Sequence, residues 1–236
     1  MNILSIGNSF SQDATRYLYE MAKKQGYKNF HTTNLVIGGC SLYKHFVNMH
    51  SGEKAYALAI NGHGSGYNMS IKEALLSRQW DYITLQQVSG YSYIYDSFEP
   101  YLTELIAYIR NLAPKAKIYL HETWAYEKDS ARLKNEGFNT PEEMYEKIHE
   151  AYIEASKKAD GIIPSGRLFI NLLHSGVDNL HLDTMHASFG IGRYALALLW
   201  LRTFTGANIT ENSFDDFDEP ITEKEITIAK KCIMEL

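Results

Sequence analysis

The stretch Asn2-Ile3-Leu4-Ser5-Ile6-Gly7-Asn8-Ser9-Phe10-Ser11 decides the fold. Its apolar run from Ile3 to Ile6 is short, and it ends abruptly in glycine and polar residues. A run of that length bounded by turn formers reads as a buried strand. Beyond it a helical pattern carries Tyr17, Leu18 and Met21 toward Gly26. Strand, tight polar turn and helix in that order open a β-α-β unit. The same alternation recurs outward from this start. Residues 31–37 have strand character and stop at Gly38-Gly39, and Asp81-Tyr82-Ile83-Thr84-Leu85 is the next strand, followed by a helix over 98–112. Lys117-Ile118-Tyr119-Leu120 is a strand. Thr140-Pro141-Glu142-Glu143 then opens a helix with cap, proline and capping glutamate in the favoured order. Gly161-Ile162-Ile163-Pro164 reads as a last short strand, residues 189–204 as an apolar helix, and Thr222 with Glu225 as the start of a terminal helix. Ser70 and Glu73 resemble a capping box, and residues 61–68, rich in glycine and polar side chains, read as a loop.

Short apolar strands alternating with helices imply a parallel sheet covered on both faces. The expectation is a single domain over residues 1–236, an α/β three-layer sandwich with a mainly parallel, doubly wound sheet. Composition agrees. Of 236 residues, 45% are hydrophobic and 22% charged, which excludes disordered, collagen-like and coiled-coil classes. A net charge of −5 argues against a nucleic-acid partner or an anionic membrane surface. Cys40 and Cys232 alone give no disulfide framework, and no apolar run reaches the ~18 residues of a transmembrane helix. Met1 leads directly into the first strand, so the expectation is a cytoplasmic protein as the sequence stands, or an exported one from which a signal has been removed.

In doubly wound sheets, ligands bind beyond the carboxyl ends of the strands. The strand exits here are Gly7-Asn8-Ser9-Phe10-Ser11, Gly38-Gly39-Cys40-Ser41, Gln86-Gln87-Val88-Ser89 and His121-Glu122-Thr123-Trp124. Ser9 stands between strand and helix, where negative charge is favoured, although it or Ser11 would also serve as a plain helix cap. The surrounding Gly7-x-Ser9-x-Ser11 lacks the second glycine of the G-x-S-x-G elbow. Asp183-Thr184-Met185-His186 is the second constellation. A carboxylate beside one imidazole nitrogen fixes the tautomer while the other nitrogen faces a nucleophile. His181, Asp183 and His186 also raise a metal-site alternative, for which the sequence offers no obvious further ligand. Cys40 reads as a wall residue, because nothing nearby in sequence resembles the setting of an activated thiol.

Together these pieces resemble the SGNH hydrolases, the GDSL-type esterases and lipases. Gly7-Asn8-Ser9-Phe10 stands where the family has G-D-S-L, Gly38-Gly39 where it has its second-block glycine, and Asp183-x-x-His186 where it has its last block. More narrowly, the first block with Gln86-Gln87-Val88-Ser89 and Thr123-Trp124-Ala125-Tyr126 is similar to a poorly characterised bacterial branch. The third block departs from the family, with Gln86-Gln87 in place of the usual asparagine. The resemblance implies a flavodoxin-like sandwich and two-step acyl transfer. Ser9 would be the nucleophile, His186 the base and Asp183 its orienter. The N–H groups of Ser9 and of Gly38 or Gly39, with an amide of Gln86 or Gln87, would form the oxyanion hole. No cofactor is implied. Tyr91, Trp124 and Tyr126 lie near strand exits, and their aromatic rings would suit a sugar, so the expected partner is a small-molecule or carbohydrate ester, with acetyl as the preferred acyl group. A weakly catalytic carbohydrate-binding module on the same fold is the competing expectation.

Overall fold

The structure is a computed structural model that describes all 236 residues. The chain forms seven strands, β1 (Asn2–Gly7), β2 (His31–Val36), β3 (Tyr56–Ile60), β4 (His63–Met69), β5 (Tyr82–Leu85), β6 (Lys117–His121) and β7 (Gly161–Ile163). They make one sheet in the order 4-3-2-1-5-6-7. The neighbours β2, β1, β5, β6 and β7 are parallel, whereas β3 and β4 add antiparallel pairings at one edge. Alternation within β1 divides the interior: Ile3 packs into one hydrophobic layer, Leu4 and Ile6 into the other.

Ten helices cover the sheet: α1 (Ser9–Thr15), α2 (Leu18–Lys24), α3 (Leu42–Ser51), α4 (Ile71–Ser77), α5 (Tyr101–Leu112), α6 (Ala131–Asn135), α7 (Pro141–Ser156), α8 (Ser165–His174), α9 (Ile191–Thr205) and α10 (Glu223–Met234). One layer holds α1, α2, α8, α9 and α10, and the other holds α3, α4, α5, α6 and α7. Helix α9 is buried around most of its circumference, as its apolar sequence demands. The expected caps are in place. Ser70 and Thr222 form full capping boxes with Glu73 and Glu225, and Thr140 caps α7 ahead of Pro141.

Four readings are corrected. Residues 61–68 are not a loop, because Asn61-Gly62 is a two-residue hairpin turn joining β3 to β4, with Ile60 paired to His63. Both turn residues have positive φ, 52° and 84°, as such a hairpin requires. The first helix is broken at Arg16-Tyr17 into α1 and α2, and the hairpin turn lies so close that a Cβ on Gly62 would sit 2.2 Å from the Arg16 carbonyl oxygen. Helix α5 starts at Tyr101 rather than at 98, because the residue before Pro100 is kept out of the α region. Helices α3 and α8 were not anticipated.

The chain leaves β1 for β2 on one side and later returns to β5 on the other. This reversal opens a crevice at the carboxyl end of β1, where Ser9 begins α1.

Candidate active site

Asn8 caps α1 by accepting the Phe10 N–H on Oδ1 at 3.0 Å, which places Ser9 at the first helical position. Across the crevice, His186 Nε2 lies 2.8 Å from Ser9 Oγ, and Asp183 Oδ2 lies 2.7 Å from His186 Nδ1. With Nδ1–H donating to the carboxylate, Nε2 is free to accept from the serine hydroxyl. Residues 177 positions apart thus form one hydrogen-bonded chain.

The loop carrying His186 is held by its own hydrogen bonds and by two neighbouring segments, residues 124–127 and α1. Asp183 Oδ1 accepts the His186 N–H at 2.9 Å, and the Leu182 N–H donates to the His186 carbonyl at 2.9 Å. Thr184 adopts φ +75°, an uncommon conformation for a β-branched residue, and its carbonyl accepts the Glu127 N–H at 2.8 Å. Trp124 Nε1–H donates to the Met185 carbonyl at 2.8 Å, and His181 Nε2–H donates to the Ala125 carbonyl at 3.0 Å. From α1, buried Asp13 accepts the Ala187 N–H at 3.1 Å and Arg193 Nε at 2.9 Å. Arg193 continues to Asp218, which also binds Arg16. Burial pulls Asp13 above the usual carboxylate range, against the opposing effect of Arg193. At Asp183 burial also pulls upward, but the hydrogen bonds from His186 prevail and hold it below that range.

The turns after β1 and β2 leave N–H groups free. Those of Ser9, Gly38 and Gly39 make no hydrogen bond within the chain, and Gly39 takes φ +62° in an exposed turn. The two glutamines separate clearly. Gln87 accepts the Leu42 and Val88 N–H groups on Oε1 and donates both amide hydrogens to Ser97, at 2.9 and 3.1 Å. Its amide is fully engaged in bracing the loop after β5, so the expectation of an oxyanion role for it is withdrawn. Gln86 accepts from His121 Nδ1–H at 2.9 Å and donates one Nε2–H to Asn8 Oδ1 at 2.6 Å, which leaves its second amide hydrogen. Burial drives His121 down to about 3, so its imidazole is neutral and its Nδ1–H stays in place to donate.

Of the three aromatic candidates, only Tyr91 is exposed, at 54%. Trp124 is wholly buried, stacked on Phe10 at 4.0 Å and on Phe169 at 4.8 Å. Tyr126 is 2% exposed and donates to Ser89 Oγ at 3.0 Å. Neither ring can meet a sugar, because the chain after β6 turns inward. The metal alternative also loses its geometry, since His181 points at a backbone carbonyl and no group of three ligating side chains is gathered anywhere. Cys40 does have a histidine neighbour, His45 Nδ1 at 3.5 Å, contrary to expectation. Burial pushes that thiol up to about 12 and the imidazole down to about 3, so the pair is neutral and inert. Sequence reasoning missed Asn8 and Asp13 as parts of the site's framework.

The sequence profile described as "Domain of unknown function (DUF4886)" matches residues 2–235. The chain belongs to the DUF4886 family. A DUF4886 protein from Bacteroides uniformis is 34% identical, with a TM-score of 0.91 over 100% of this chain and 93% of that one. The DUF4886 fold here is that of the SGNH hydrolases. A proposed SGNH hydrolase from Slackia heliotrinireducens aligns with TM-score 0.64 at 20% identity, covering 86% of this chain and 98% of the other. An acetyl xylan esterase aligns with TM-score 0.56 at 16% identity, covering 86% and 99%. No curated protein matches the sequence. No helix is long and apolar enough to cross a membrane.

Proposed function

We propose that this DUF4886 protein is a serine ester hydrolase. The observation that carries the reading is the continuous chain Ser9 Oγ, His186, Asp183, with links of 2.8 and 2.7 Å. Ser9 Oγ attacks the ester carbonyl while His186 Nε2 takes the hydroxyl proton, and Asp183 holds the imidazole in the required tautomer. The tetrahedral oxyanion is met by the N–H groups of Ser9 and of Gly38 or Gly39 and by the free amide hydrogen of Gln86. Collapse expels the alcohol, which receives the proton from His186. Water, deprotonated by the same imidazole, then attacks the acyl-enzyme and releases the acid and Ser9.

The substrate class proposed is a short acyl ester, acetyl above all, on a carbohydrate. Exposed Tyr91 after β5 offers one aromatic face for a sugar, and the fold is shared with an acetyl xylan esterase. The test is hydrolysis of acetylated sugars against longer-chain esters, with labelling by a fluorophosphonate. Ser9→Ala is expected to abolish both turnover and labelling while the protein stays folded. Folded wild-type protein that neither labels nor hydrolyses would refute the esterase and leave a binding module.

A further inference from the structure

Each donor of the proposed oxyanion hole sits on a different segment: Ser9 on the first turn of α1, Gly38 and Gly39 in the turn after β2, Gln86 at the end of β5. Nothing in their sequence neighbourhoods sets their mutual distances. One side chain touches all three segments. Asn8, 2% exposed, accepts the Phe10 N–H on Oδ1 at 3.0 Å, which fixes the turn that aims the Ser9 N–H. Its Nδ2 donates to the Cys40 carbonyl at 3.0 Å and so pins the Gly38-Gly39-Cys40 turn, itself closed by the Cys40 N–H on Ile37. Its Oδ1 also accepts Gln86 Nε2 at 2.6 Å, which turns that amide toward β1.

We propose that Asn8 is the positioning residue of the oxyanion hole, the single group that holds its three donors in register. The proposal rests on the esterase reading and concerns the same site. Its chemistry requires an amide. One atom must accept from two donors while the other donates to a carbonyl, and a carboxylate would instead set a second oxygen against Cys40 O. His121 is the far anchor, since its Nδ1–H fixes which end of the Gln86 amide faces Asn8.

Asn8→Ser isolates this role, because serine still caps α1 but is too short to reach Cys40 or Gln86. With an acetyl ester as substrate, kcat is expected to fall about 10²-fold, comparable to loss of one oxyanion donor, while KM stays within about twofold. Gln86→Ala alone should cost a similar factor, and in the Asn8→Ser background it should cost less than about tenfold more, because the amide has already been released. A kcat for Asn8→Ser within about threefold of wild type overturns the proposal, as do losses that simply multiply. Asn8→Asp provides a second variant, keeping the cap and the Gln86 contact but not the bond to Cys40, and should lose at least about tenfold in kcat. Wild-type protein without turnover or Ser9 labelling would instead overturn the esterase reading, and this one with it.

Discussion

Replacing Trp124 by phenylalanine separates two roles that the sequence leaves entangled. The ring is wholly buried between Phe10 and Phe169, and its only polar act is the 2.8 Å bond to the Met185 carbonyl in the loop that carries His186. Phenylalanine preserves the stack but removes the donor. The half-buried Met185 carbonyl left without its partner costs at most about 1–3 kcal/mol, and the void left by the smaller ring adds about 1 kcal/mol. The sum, at most about 2–4 kcal/mol, lowers Tm by roughly 4–16 °C for a chain of this size. Release of Met185 also loosens His186 relative to Ser9, where a displacement of about 1 Å can cost 10²-fold in rate. The expected kinetic signature is a kcat at least about tenfold lower with KM unchanged. Thermal denaturation and steady-state ester hydrolysis measure both. A variant with a raised KM, native kcat and native Tm would show that Trp124 meets substrate, and would refute the placement argued above.

Asp13→Ala strips the acceptor from the Ala187 N–H and one partner from Arg193, which keeps Asp218; a loss of about 2–4 kcal/mol is expected, larger than for Asp13→Asn, and urea denaturation at neutral pH compares the two. His45 and His121 are held near 3 by burial, below the ordinary imidazole value of about 6.5, so the unfolded chain takes up more protons as the pH falls through that value. Stability should therefore drop on acidification, by up to about 2 kcal/mol per histidine at pH 5, and a urea midpoint unchanged between pH 7 and 5 would exclude two buried neutral imidazoles. Gly62→Ala forces a side chain into φ +84° and against the Arg16 carbonyl, so Tm should fall by at least about 5 °C; a variant as stable as wild type would show that the hairpin does not approach α1 so closely.

Much of the parallel part of the sheet was legible because β1, β5 and the middle of β6 are short, largely apolar runs with buried residues on both faces, whose hydrophobicity needs no partner to be recognised. The antiparallel edge was not, since β4 reads His63-Gly64-Ser65-Gly66-Tyr67-Asn68-Met69 and lies largely exposed, with no apolar face to announce it. The available signal was Asn61-Gly62 directly after Tyr56-Ala57-Leu58-Ala59-Ile60, a strong local mark of a two-residue hairpin. At the candidate site, Ser9, Asp183 and His186 were readable from motif and order. Depth was not. Trp124 and Tyr126 stand at a strand exit as surface aromatics would, and only the path of the chain after β6 carries them inside. Gln86 and Gln87 are equivalent in sequence, and their roles diverge through contacts with His121 and Asn8 on one side and Leu42 and Ser97 on the other. Asp13 could have been suspected as a carboxylate one turn beyond Ser9 on a helix whose neighbouring positions are apolar or small, Phe10, Ser11, Ala14 and Thr15, but its partners Ala187 and Arg193 lie more than 170 residues away.

The two halves of the site are secured by different physics. Asn8, Gln86 and His121 lie in the interior, where, in the proposed mechanism, a hydrogen bond to a developing oxyanion would gain from low dielectric and from donors already in place. Asp183 and His186, by contrast, have side chains 51% and 27% exposed, so water screens the attraction between carboxylate and imidazolium. In the proposed mechanism the work of Asp183 is then chiefly orientation, fixing the tautomer and the ring plane, with charge stabilisation secondary. Orientation on an exposed loop needs a rigid backbone behind it. The left-handed Thr184, tied by Glu127, and the bonds from Trp124, His181 and Asp13 supply that rigidity where burial of the acid–base pair does not.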